Sequence, residues 1–141
     1  AGMRMGPAIC YEGLYGDFYG DFVRRGAQFM AIISNDGWWG DTPGYKHLFT
    51  ISRLRAIEHR RAIARSANTG MSGFISARGD IGETLGWEKR GVISAAVPLN
   101  SELTFYTRYG DYLGRISEYL TLLCVLYYIA YRVKRKNYLV K

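Results

Sequence analysis

A chain of 141 residues is long enough for one modest domain with its own core and too short for two complete ones. Its formal charge of +7 raises nucleic acid or an anionic membrane surface as a partner. The positions of the charges favour the membrane and exclude nucleic acid: Arg132, Lys134, Arg135 and Lys136 crowd behind an apolar run, and no zinc-ligand pair or aromatic RNA-binding segment is present. Arg53, Arg55, Arg60, Arg61 and Arg65 lie among apolar and acidic residues and read as a helix with internal ion pairs. The two cysteines, Cys10 and Cys124, have no CxxC spacing and fall in different regions, so neither a metal site, another cofactor nor a disulfide is expected.

The first residues, Ala1-Gly2-Met3, carry no signal-type apolar stretch and read as internal to a longer product. From residue 6 to residue 10 a short apolar approach leads to Cys10. Beyond Glu12-Gly13, the recurrence of Leu14, Phe18 and Phe22 predicts a helix that stops at Gly26, with Gly16 and Gly20 away from its apolar side. Residues 29–33 form a continuous apolar run ending in Ser34-Asn35-Asp36-Gly37, which predicts a strand buried on both faces. A Gly- and Trp-rich loop follows, and then a helix over about 47–64 with Leu48, Ile51, Leu54 and Ile57 on one side. Short strands are expected at 64–67, 72–77 and 81–85, separated by the turn sequences Asn68-Thr69-Gly70 and Arg78-Gly79-Asp80, with a further strand at 91–99. The fold class is therefore layered α/β with hairpins, over residues 1–110.

Residues 116–131 are apolar and tyrosine-rich. At ~1.5 Å per residue they cover about 24 Å, slightly short of a ~30 Å hydrocarbon core. Tyrosines at both ends and the basic cluster after residue 131 nevertheless read as one membrane span within residues 111–141, with the C-terminus cytoplasmic and the preceding domain outside.

The chemistry centres on Cys10. A cysteine between an apolar strand and a helix is both exposed and activated, because a helix N-terminus favours thiolate, and the backbone N–H of Tyr11 would face an oxyanion developing on an attacked carbonyl. Glu12 falls on a first helical turn, where an acid is favoured in any case. Glu58 sits three residues from both Arg55 and Arg61, which suggests a structural Arg-Glu-Arg cluster. His47 is a candidate partner for Cys10 in a cysteine-histidine pair, but no local signature of such proteases surrounds the cysteine. His59 reads as structural.

Pro7-Ala8-Ile9-Cys10-Tyr11-Glu12 resembles the nucleophile segment of the nitrilase (carbon-nitrogen hydrolase) superfamily. Ser34-Asn35-Asp36-Gly37-Trp38-Trp39-Gly40-Asp41, then Arg53-Leu54-Arg55-Ala56-Ile57-Glu58, then Arg65-Ser66-Ala67-Asn68-Thr69-Gly70 are similar to one branch of it, the bacterial apolipoprotein N-acyltransferases. The resemblance implies the C-terminal part of an α-β-β-α sandwich, followed here by the membrane helix. It implies a Glu-Lys-Cys triad of which only Cys10 is in this chain, and a phospholipid acyl donor and a diacylglyceryl apolipoprotein acceptor as partners at the bacterial inner membrane, with the catalytic domain periplasmic. A chain without the glutamate and lysine is expected to be inactive alone. Glu12 matches an acidic position of the family's motif, where the resemblance implies that it orients the missing lysine or tunes the thiol, and Trp38, Asn35 and Asn68 are expected at the substrate, with Ser66 a further candidate. Two other functions stay open at this point: an amidase of the same superfamily acting on a small amide, and a non-catalytic membrane-anchored binding domain.

Overall fold

In the computed structural model, which describes residues 2–139, the chain forms two compact units, residues 1–110 and 111–141. The first is built on one five-stranded sheet in the order β1 (Met5–Ile9), β2 (Phe29–Ser34), β3 (Ile63–Ala67), β4 (Ser72–Ile75), β5 (Ile81–Leu85). The first three strands run parallel, and the last two continue antiparallel through hairpins. Parallel neighbours need long crossovers, and these are helices α1 (Gly16–Arg24) between β1 and β2 and α2 (Pro43–His59) between β2 and β3. The hairpin turns fall where the sequence puts them. At the second, Gly79 has φ +87°, and the Ser76 hydroxyl bonds the Asp80 carboxylate at 2.8 Å.

The core lies between one face of the sheet and the two crossover helices. Ala8, Met30, Ile32, Ile63 and Ile75 from the strands meet Tyr19 and Val23 of α1 and Phe49 and Ala56 of α2. The helix faces differ from those read in the sequence. Phe18 is exposed, whereas Gly16, Tyr19, Gly20 and Val23 face inward. The glycines are buried because α2 comes too close for a side chain: a Cβ on Gly16 would overlap the Arg55 guanidinium, and one on Gly20 would press on the His59 ring at 3.0 Å. On α2 the buried positions are Tyr45, Leu48, Phe49, Ser52, Arg55, Ala56 and His59, while Leu54 and Ile57 are exposed. Polar groups share this core, so hydrophobic spacing alone points to the wrong side.

Helix α2 also begins and ends earlier than expected. Thr42 caps its N-terminus by accepting from Gly44 N–H, Pro43 fills the first turn, and Arg60 at φ 51° ends it. Arg61 and Arg65 therefore lie outside the helix. Arg61 is fully buried and donates to the carbonyls of Ala27 (2.7 Å) and Glu102 (2.8 Å), and within α2 Arg55 pairs with Glu58 at 3.2 Å.

Two strand expectations change. β2 is buried on one face only: Met30, Ile32 and Ser34 point into the core, while Ile33 on the other face is 62% exposed. That second face carries a shallow groove of about 380 Å³ lined by Ala31, Ile33, Ala64, Phe74 and Leu85 of the sheet and by Gly91, Val92 and Ile93 of the segment that follows it. Residues 91–99 are not a strand, because among the described residues no ladder partner lies beside them, and Val92 is almost wholly exposed. A short helix α3 (Phe105–Tyr109) closes the first unit.

The second unit is helix α4 (Tyr112–Leu139). Its apolar stretch, Tyr112–Arg135, has 24 residues and mean hydropathy 1.3, so one helix is long and apolar enough to cross a membrane. This candidate stretch extends beyond residues 116–131 at both ends. Helical propagation carries the apolar segment past its polar ends, and ~1.5 Å per residue gives about 36 Å.

Candidate active site

The three parallel strands end at one edge of the sheet, and each hands the chain to a candidate residue. Register pairs Ile9 with Ile33 and Ser34 with Ala67, so Cys10 follows β1, Asn35 follows β2 and Asn68 follows β3 along the same carboxyl edge. In open α/β sheets this edge is where ligands are held, because the loops there are free to carry polar groups while the strands fix their spacing.

Cys10 opens a single 3₁₀ turn, Cys10–Leu14, with φ 51°. For a residue with a Cβ this left-handed backbone costs ~1–2 kcal/mol. The chain therefore bends sharply between strand and turn, which lifts the half-buried thiol out of the strand direction. Tyr11 is exposed, and in the first turn of such a helix the N–H groups have no intrahelical acceptor. Glu12 reaches backward: its Oε2 accepts from the Ile9 N–H at 2.7 Å, and its backbone carbonyl accepts from Tyr15 N–H at 3.3 Å. It braces the turn on both sides of the cysteine.

Asn35 and Asn68 bond to each other. The Asn68 Nδ2 donates to Asn35 Oδ1 at 2.8 Å, Asn35 Oδ1 also accepts from Gly37 N–H, and Asn68 Oδ1 accepts from Asp36 N–H at 3.2 Å and Thr69 N–H at 2.8 Å. These bonds shape the turn Gly37–Trp39. Trp39 packs against the start of α2, where a Cβ on Gly44 would strike its ring, while Trp38 stands 81% exposed. Ser66 lies exposed on β3, opposite Ile33.

Beneath this pair lies an ion pair that the sequence reading did not assemble. Asp36 is fully buried, accepts from both Arg65 guanidinium nitrogens at 3.0 and 3.1 Å, and takes a further bond from the Ser34 hydroxyl at 2.5 Å. Gly70 is obligatory here, since a Cβ would land 2.0 Å from Asp36 Oδ2. Both charges sit in the quoted motif blocks, one at a strand end and one inside a strand, and a charge among alternating apolar positions is the signal for a buried partner.

His47 lies exposed within α2, and among the described residues no hydrogen bond joins it to Cys10. His59 is fully buried. Its Nε2 faces the Gly16 carbonyl at 3.1 Å and so carries the proton, and Nδ1 then accepts from the Thr107 hydroxyl at 2.9 Å. Burial first, then the Arg55 charge, hold its pKa down at about 4, so the ring is neutral. Burial likewise pushes the stacked Tyr19 phenol up. These groups form the polar packing behind the Cys10 turn.

The carbon-nitrogen hydrolase family pattern matches residues 1–103. The chain belongs to the carbon-nitrogen hydrolase family. The apolipoprotein N-acyltransferase of Chlorobaculum tepidum is 45% identical over 109 residues, covering 77% of this chain and 20% of that protein. The protein of the same name from Rhizobium meliloti is 42% identical over 97 residues, covering 69% of this chain and 18% of its own length. The chain thus spans about a fifth of the length of these curated relatives. Among solved structures, Saccharomyces cerevisiae Nit3, a member of the nitrilase superfamily, aligns with a TM-score of 0.54 over 61% of this chain and 34% of its own, at 21% identity, a likeness of fold. The sheet and helices described above are accordingly a nitrilase-like carbon-nitrogen hydrolase fold, and its carboxyl edge is where Cys10 stands.

Proposed function

We propose that this chain carries the nucleophile of a membrane-bound acyltransferase that moves a fatty acyl group from a phospholipid, through a thioester on Cys10, to the N-terminal amine of an S-diacylglyceryl-cysteine apolipoprotein. The observation that carries the reading is the strained turn at Cys10, at the strand edge of a carbon-nitrogen hydrolase with relatives at 45% and 42% identity named apolipoprotein N-acyltransferase. In the first half-reaction the Cys10 thiolate attacks the ester carbonyl. A C–S bond forms, the ester C–O bond breaks, and the lysophospholipid leaves after taking a proton. In the second the acceptor amine attacks the thioester, a C–N bond forms, the C–S bond breaks, and the amine's proton is released as the thiolate is restored. Both halves pass through an oxyanion at one place, where the Tyr11 N–H is a fitting donor.

Trp38, exposed beside Asn35 and Asn68, suits an acyl chain approaching that edge. The α4 helix would keep such an enzyme beside its lipid, and the arginine and lysine excess from residue 132 onward favours a cytoplasmic C-terminus with residues 1–110 in the periplasm. The test is a half-reaction assay of the full-length enzyme, which would supply the triad glutamate and lysine, with labelled phospholipid and no acceptor. Release of one lysophospholipid per enzyme, followed by turnover only when a diacylglyceryl peptide is added, is expected. Continuous hydrolysis of a small amide without lipid would replace this reading with the amidase one.

A further inference from the structure

We propose that α3 is a membrane-docking element of the first unit, with Phe105, Arg108 and Tyr109 seated in the lipid headgroup layer. The proposal rests on reading α4 as a membrane span. Helix α3 has two unlike faces. Thr107 is fully buried: its hydroxyl meets His59 Nδ1 at 2.9 Å, and its carbonyl accepts from an Arg24 guanidinium at 2.7 Å. Thr104, which caps the helix through a bond from Thr107 N–H, donates its hydroxyl to the Glu58 carbonyl at 2.6 Å. These bonds to α1 and α2 fix which side of α3 faces outward. That side presents Phe105, 61% exposed, and Tyr109, 55% exposed, with ring centroids 4.6 Å apart and exposed Arg108 one position before Tyr109.

Two exposed aromatic rings held together beside an arginine are costly toward water and suited to the bilayer interface, where rings lie among the headgroups and a guanidinium meets phosphate oxygens. Chain length supplies the occupant. The apolar stretch of α4 starts at Tyr112, three residues beyond Tyr109. Three residues reach at most ~11 Å, and the headgroup layer on each side of a ~30 Å core is about 5–8 Å deep. A span beginning at Tyr112 therefore keeps Tyr109 within ~11 Å of the hydrocarbon boundary, in this layer or within a few ångströms of it. The docked helix would also set the height of the nucleophile, because His59, which holds Thr107, holds the Gly16 carbonyl with its other nitrogen, just beyond the turn that Cys10 opens.

The test uses nitroxide labels on single cysteines, Phe105→Cys, Tyr109→Cys, Leu120→Cys and Glu83→Cys, each in the protein with Cys10→Ala and Cys124→Ala, inserted in nanodiscs of phosphatidylethanolamine and phosphatidylglycerol. Collision with oxygen reports lipid, and collision with a water-soluble nickel chelate reports solvent. The expected result is a loss of nickel accessibility at 105 and 109 relative to the exposed strand position 83, with oxygen access retained. Full nickel access at 105 and 109 while 120 is in lipid overturns the docking role and leaves the span standing. Nickel access at 120 as well overturns both. Labels at 105 and 109 shielded from both reagents indicate a protein partner and also overturn the proposal. Should Phe105→Cys fail to fold, Tyr109→Cys carries the same comparison.

Discussion

Glu12 braces the backbone on the strand side of Cys10, its carboxylate accepting the Ile9 N–H at 2.7 Å from three residues farther along the chain. The bond spans the residue that bears the strained φ of 51°, so it helps to hold a conformation that a cysteine would otherwise leave. A hydrogen bond to a charged acceptor contributes ~1.5–3 kcal/mol, and solvent exposure places this one at the low end. Glu12→Ala is expected to slow acylation of Cys10 by about tenfold, the equivalent of ~1.4 kcal/mol, with little change in melting temperature. Glu12→Gln keeps an acceptor oxygen and should retain most of the rate. Stopped-flow measurement of thiol acylation checks this, and an unaltered rate in Glu12→Ala would remove the bracing role.

The buried Asp36–Arg65 pair makes a separable prediction about stability. Removing one partner strands the other charge in the interior, which costs ~3–5 kcal/mol, so Asp36→Ala should lower the urea midpoint severely. Arg65→Met added to Asp36→Ala should recover part of the loss. Asn68→Ala, at an exposed position, should cost only ~1 kcal/mol while loosening the turn that carries Trp38. Equal losses for Asp36→Ala and Asn68→Ala would contradict the pair's role as the buried anchor of this edge.

The strand starts and turns were legible in the sequence because short apolar runs bounded by Asn-Thr-Gly and Arg-Gly-Asp have few other solutions. The edge that gathers the candidate residues was legible because strand ends concentrate polar residues. The helix faces were not legible. Gly16 and Gly20 look like helix breakers in a list of residues and become buried contacts only when Arg55 and His59 are brought against them. The second face of β2 and the extended residues 91–99 misled for a related reason, since apolar character announces burial without saying what covers it. Asp36 and Arg65 are 29 positions apart, and no local pattern pairs them.

His59 gives the chain a pH dependence whose sign follows from its environment. Its folded pKa, about 4, lies below the ordinary value of 6.5, because burial and the Arg55 charge oppose protonation. The stability this neutral ring contributes is fully present above pH 6.5 and is lost progressively as pH falls through about 4. The full difference is on the order of 3 kcal/mol. Chemical denaturation at a series of pH values should show this decline, and His59→Gln, which can keep a donor toward Gly16, should flatten it. An unchanged slope in His59→Gln would assign the acid sensitivity to another group.

The most direct measurement of the central claim is the mass of the peptide containing Cys10 after the full-length, membrane-inserted enzyme is incubated with a phospholipid of defined acyl chain. One acyl increment on Cys10, removed by neutral hydroxylamine and absent in Cys10→Gly, is predicted; glycine is the suitable control because it accepts φ 51° without strain. An acyl group on Cys124 or another residue, or an increment that persists in Cys10→Gly, would contradict the account.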